Sequence, residues 1–156
     1  MPTTDLEQEI SRQTIEALLK ALDNCLVAVI LFGSQARGEA SAGSDWDLLV
    51  IAEGLPERHF ERHLYLKRLL PPRWRGAVSL LAKTPDEFEA HLPSLYLDIA
   101  LDGQILYDPR GYAVERLAAL RDLIEESGLY RERTEAGDVW RWQKEPSGPW
   151  ALEWKK

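Results

Sequence analysis

With 156 residues, 45% hydrophobic and 29% charged, the chain suits one globular domain with a real core. Its net charge of −7 repels a phosphate backbone and argues against duplex nucleic acid as the main ligand, while a nucleotide stays open because a bound divalent cation reverses the local charge. A single cysteine excludes an internal disulfide framework and fits a reducing cytoplasm, the polar start MPTTDLEQEI does not read as a signal peptide, and no apolar run is long enough to span a bilayer.

Thr4 and Glu7 have capping-box spacing, so a first helix is expected to begin near Thr4. Leu6, Ile10, Ile15, Leu18, Leu19 and Leu22 then recur near helical spacing. Cys25 precedes the apolar run LVAVILF (26–32) and reads as a structural residue. That run reads as a buried strand, ended by Gly33. After a polar turn, Asp45–Ile51 reads as a second buried strand. Pro56–Leu70 has helical character, stopped by Pro71-Pro72. Ala77–Lys83 reads as a third strand. Thr84-Pro85-Asp86-Glu87 is an N-cap signature, and the helical region it opens should run to about Asp102, break near Pro93 and stop at Gly103. Gln104–Tyr107 is a short fourth strand. Tyr112–Glu126 is helical, with Val114, Leu117, Leu120 and Ile124 on one face and Gly128 past its end. The order predicts a layered α/β (α+β) fold over residues 1–156 as a single domain. The tail, 130–156, carries Trp140, Trp142, Trp150 and Trp154 among charges. It reads as a strand-like extension that packs its tryptophans on the domain, with a partner-binding surface as the other reading.

Chemistry concentrates between Leu31 and Ile51. Gly33-Ser34 directly follows a buried strand, where glycine lets an anion approach the backbone and the following amides and the Ser34 hydroxyl can hold its oxygens. A lone Gly-Ser reads as a simple tight turn. Asp45 and Asp47 flank Trp46, and side chains at i and i+2 of a strand share a face. Two carboxylates so placed repel each other, a conflict that a shared divalent cation removes; the plain alternative is a solvated strand entry with Ser44 and Asp45 in a turn. Arg37 has two readings of equal weight, a bidentate phosphate contact or a pair with Asp45, Asp47 or Glu39.

Gly-Ser, ten residues, then Asp-x-Asp on two apolar strands resembles the nucleotidyltransferase superfamily that includes DNA polymerase β. The short length and the GSQARG spelling resemble its minimal nucleotidyltransferases most. The resemblance implies a nucleotidyltransferase-type mixed β-sheet flanked by helices. It implies nucleotide binding at Gly33, Ser34, Arg37 and Ser44, with Asp45 and Asp47 as catalytic ligands of Mg²⁺ or Mn²⁺. It implies transfer of a nucleoside monophosphate from a nucleoside triphosphate, ATP first among them, to a hydroxyl of a small molecule or partner protein. It also implies a HEPN-class protein as partner, with the chain in an antitoxin-like role. Fully active members carry a third carboxylate on a later strand, and here the corresponding place holds Ser79, with no Asp or Glu between Glu61 and Asp86. Asp86 and Glu87 open the next helix and serve its cap and dipole. A catalytically degenerate nucleotide-binding protein is therefore the alternative to an enzyme.

Other constellations are weaker. His59 and His63 stand in HFERH, which matches neither HExxH nor HxxEH, and read as surface histidines. No G-x-G-x-x-G follows the first strand, which disfavours a dinucleotide-binding site.

Overall fold

The computed structural model describes residues 3–41 and 43–155, and side chains from Asp5 onward. Helix α1 runs Thr3–Leu22. It buries Ile10, Thr14, Leu18 and Leu22 and leaves Leu6 exposed, so the core stripe is narrower than the apolar count suggests. The expected cap at Thr4 falls on a side chain outside the described residues.

Strands β1 (Leu26–Phe32) and β2 (Trp46–Ala52) are buried along almost their whole length. Continuous apolar runs are what a strand covered on both faces requires. With β3 (Val78–Lys83) and β4 (Gln104–Tyr107) they form one sheet in the order β3-β2-β1-β4. β1 is antiparallel to β2 and β4, and β2 is parallel to β3, so the sheet is mixed. On one face Val29, Leu31, Leu48 and Val50 pack with Ile10 and Leu18 of α1 and Leu66 of α3 (His59–Leu69). On the other, Ile30, Leu49 and Ile51 pack with Phe88, Leu97 and Leu120, from α4 (Pro85–Ala90), α5 (Ser94–Asp102) and α6 (Tyr112–Glu126). Each fully buried aliphatic side chain contributes about 1.5–3 kcal/mol relative to exposure, so this two-sided core holds the sheet. No described helix is long and apolar enough to cross a membrane.

Three local departures from the pattern have physical causes. Helix α3 starts at His59, later than the expected Pro56, because the Pro56 carbonyl accepts from the Arg62 guanidinium (2.8 Å) instead of a helical amide. On α6 the core stripe is Ala113, Leu117, Leu120 and Ile124, while Val114 is 54% exposed. Asp108 sets that register by accepting from the amides of Ala113 (3.0 Å) and Val114 (2.9 Å). Cys25 is exposed, and its carbonyl accepts from the amide of Glu53.

Beyond α6, β5 (Leu129–Thr134) and β6 (Gly137–Trp142) form a separate antiparallel hairpin. Trp140, Trp142 and Trp154 pack against the α4–α5–α6 core. The Trp154 indole donates to the carbonyls of Phe88 and His91, both at 3.0 Å, which occupies two groups left free where α4 ends. Trp150 stands edge-on to Trp142 and stays exposed.

Thr84 and Glu87 form the expected capping box at the start of α4. Glu87 also receives both Nη atoms of Arg62, at 2.7 and 2.8 Å, and Arg62 is only 4% exposed. The guanidinium fork beside it, aided by the Thr84 amide, holds the Glu87 carboxyl down to about 2. A depressed carboxyl adds stability that is complete above its ordinary value of 4.5 and is lost as pH falls through about 2. Glu87→Gln strands a buried guanidinium and should cost about 3 kcal/mol of unfolding free energy at pH 7. Urea titrations of both proteins should show the gap closing between pH 4.5 and about 2. A gap that stays constant across that window would show that the pair does not carry the stability.

Candidate nucleotide site

β1 delivers the chain to the site in extended form at Phe32, and Gly33 then turns it with φ of +73° into the short helix α2 (Gly33–Arg37). A Cβ at Gly33 would overlap Oδ2 of Asp47 and lie 3.3 Å from its Cγ. Both the backbone sign and the space demand glycine here. The same contact shows that the Gly-Ser turn and the Asp-x-Asp strand converge.

Asp47 is the second residue of β2, paired with Phe32 of β1 and Ser79 of β3. Directly paired residues share a sheet face, so Ser79 lies on the Asp47 side. Trp46 points the other way into the core, which explains an apolar residue between two carboxylates. Ser79 is exposed, whereas its neighbours Val78 and Leu80 pack on the opposite face. A serine buried against a backbone carbonyl is thereby ruled out.

The electrostatics favour a cation. Burial raises the Asp47 carboxyl above its ordinary value, the exposed Asp45 beside it raises it further, and Arg37 opposes both. Like charge and partial burial are the strain that a divalent ion relieves. Among the described residues no three His, Cys, Asp or Glu side chains group to hold a metal. Two hard carboxylates still fit Mg²⁺ or Mn²⁺, which usually completes its shell with water and phosphate oxygens.

A cavity of about 230 Å³ opens at this point, lined by Gly33, Arg37 and Asp47 and, from α5, Asp98 and Asp102. Arg37 donates from Nε to Glu39 (3.1 Å) and lies 3.9 Å from Asp102. Of its two sequence readings, the ion pair with Glu39 is therefore made. Ser44 serves the turn: its hydroxyl accepts from the Ser41 amide (3.0 Å) and its carbonyl from the Gln35 side chain (3.3 Å). His59 and His63 are exposed on α3 and line a separate cavity.

Sequence reasoning missed the second wall of the site. Arg131 of β5 grips Asp102 with both Nη atoms, at 2.6 and 2.8 Å, and reaches Asp98 at 3.3 Å. The Trp140 indole donates to the same Asp98 oxygen (3.1 Å). These partners are separated by 29 to 42 positions, and no local pattern announces them.

A family model described as "Nucleotidyltransferase domain" matches residues 12–132. The chain belongs to the nucleotidyltransferase-domain family. A Methanocaldococcus jannaschii protein named "Putative protein adenylyltransferase" is 53% identical over 104 residues, covering 64% of this chain and 71% of the relative. Among solved structures, a chain from a mutant MntA toxin–antitoxin crystal structure superposes with a TM-score of 0.52 at 18% identity, covering 74% of this chain and 90% of that one. A chain from a toxin–antitoxin crystal structure with AMP-PNP gives 0.49 at 21% identity, covering 72% and 89%. The mixed four-stranded sheet flanked by helices thus shares its fold with that MntA toxin–antitoxin chain.

Gly33→Ala should separate the two demands on this nucleotidyltransferase turn. The left-handed backbone alone should cost about 1–2 kcal/mol, and displacement of the Asp47 carboxylate should lower Mn²⁺ affinity by calorimetry. Gly38→Ala is the control, with φ of +70° and nothing near its Cβ. It should show the stability loss with ion affinity intact.

Proposed function

We propose that the cleft binds a nucleoside triphosphate, ATP first, together with Mg²⁺ or Mn²⁺, and transfers its nucleoside monophosphate to a hydroxyl of a partner protein. The observation that carries this reading is the closure of Gly33 onto Asp47, whose carboxyl also feels the charge of Asp45. The relative named for protein adenylylation supports a nucleotide donor and a protein acceptor. A HEPN-class protein in the cytoplasm is the partner that the resemblance to minimal nucleotidyltransferases suggests.

In this reading the Gly33-Ser34 amides and the Ser34 hydroxyl hold phosphate oxygens, with Arg37 beside them. Asp45 and Asp47 would hold the cation, whose charge offsets that of the phosphates. The acceptor hydroxyl oxygen bonds to the α-phosphorus, the bond to the β-phosphate oxygen breaks, and pyrophosphate leaves. The hydroxyl proton passes to solvent, because β3 presents Ser79 where a carboxylate would accept it. That same exposed serine favours a second reading, a degenerate member that binds nucleotide and partner with little transfer.

Two experiments test the site and choose between the readings. Asp45→Asn/Asp47→Asn should abolish the divalent-dependent component of ATP binding in calorimetry, and unchanged binding would reject the site. Ser79→Asp should raise pyrophosphate release about tenfold or more when a protein acceptor is present, since a positioned base contributes roughly 10²–10⁴-fold where its geometry is ideal. A lower melting temperature without tighter Mn²⁺ binding would reject the cleft-facing role of Ser79.

A further inference from the structure

A second cavity of about 520 Å³ adjoins the nucleotide cleft and shares Arg37 and Asp102 with it. Its other charged walls are Glu39, Arg131, Arg133 and Asp138. The three guanidiniums are not equivalent. Arg131 is fully engaged by Asp102 and Asp98 and is mostly buried. Arg37 and Arg133 instead share one carboxylate: Arg133 Nη2 donates to Glu39 Oε1 at 2.6 Å, and Arg37 Nε to Glu39 Oε2 at 3.1 Å. Arg133 has one further, looser partner in Asp138 at 3.8 Å. Arg133 comes from β5 and Glu39 from the end of the Gly-Ser segment, 94 positions away.

A carboxylate held by two guanidiniums occupies the geometry that a phosphate oxygen pair would take. Here the hold is weak. Arg133 is 71% exposed and Glu39 39% exposed, and exposed pairs contribute little. Exchanging Glu39 for a polyphosphate therefore costs little, and the gain is two guanidiniums facing a more highly charged anion. The position fits, because Arg37 borders both the Gly33–Asp47 cleft and this cavity. An acidic chain of net charge −7 needs such local cations to keep a polyphosphate in place.

We propose that Arg133 and Arg37 together form a seat for the terminal phosphates of the bound nucleotide, and that Glu39 is the internal carboxylate those phosphates displace. The inference rests on the nucleotide-binding reading above. It gives the C-terminal hairpin a direct part in substrate binding and makes Glu39 a competitor of the substrate. Arg133 touches the leaving group in this arrangement, from a cavity that neither Asp45 nor Asp47 lines.

Calorimetry with ATP, AMP and inorganic tripolyphosphate tests it on the full chain. Arg133→Ala should weaken ATP and tripolyphosphate about tenfold and leave AMP unchanged, as expected for loss of one charge-assisted contact. Glu39→Gln should tighten ATP and tripolyphosphate a few-fold by removing the competing charge. Both positions are exposed, and unchanged melting temperatures would confirm intact folding. Equal loss for AMP and ATP in Arg133→Ala, or no loss for either, would overturn the seat. Weaker ATP binding by Glu39→Gln would overturn the competitor role. Wild-type protein that binds tripolyphosphate but not ATP would break the nucleotide reading alone. ATP binding that needs Asp45 and Asp47 but ignores Arg133 would break this inference alone.

Discussion

The approach of Gly33 to the Asp47 carboxylate is the constraint on which the site depends. A chain leaving β1 must turn at once, with a positive φ, and must do so with no side chain. Only then does α2 start against the entry to β2. The antiparallel pairing of β1 with β2 supplies the closeness, because Phe32 at the end of one strand lies opposite Asp47 at the start of the other. The apolar runs that make these two strands central are therefore what forces a turn and a carboxylate together.

A rigid base of this kind allows the site to tolerate unfavourable charge. Asp47 is half-buried beside Asp45, an arrangement that costs free energy in the absence of a cation. The fold does not remove the cost with a dedicated cation of its own: Arg37 opposes it only from a distance, since its hydrogen bond goes to Glu39. A charge conflict that the fold leaves unresolved marks a candidate binding site rather than a structural ion pair. The Arg62–Glu87 pair is the contrast, since there the guanidinium is buried, doubly bonded and matched, and it serves the joint between α3, β3 and α4.

The C-terminal hairpin is attached by side chains rather than by extending the sheet. Arg131 and Trp140 meet on Asp98, and Arg131 closes on Asp102. Both carboxylates sit on α5 one turn apart, on the helix face that lines the cleft between Gly33 and Asp47. The tail thus holds the wall of the site in position, while Trp154 fastens the end of α4. These attachments make the tail part of the site's architecture.

The sequence by itself determined the strands, the glycine turn, the paired aspartates and the absence of an acid at position 79. Each is a local matter: a β-branched apolar run, a glycine after it, and an i, i+2 spacing are legible within a few residues. The tertiary structure alone decided which distant charges meet. The register that pairs Asp47 with Ser79 comes from the parallel pairing of two strands separated by a helix. The capping of α6 from Asp108, the burial of Arg62 and the joining of Arg133 to Glu39 follow from packing. A long charged side chain carries no periodic signal for its partner, because its contact depends on where two remote backbones come to rest and not on its neighbours in the chain.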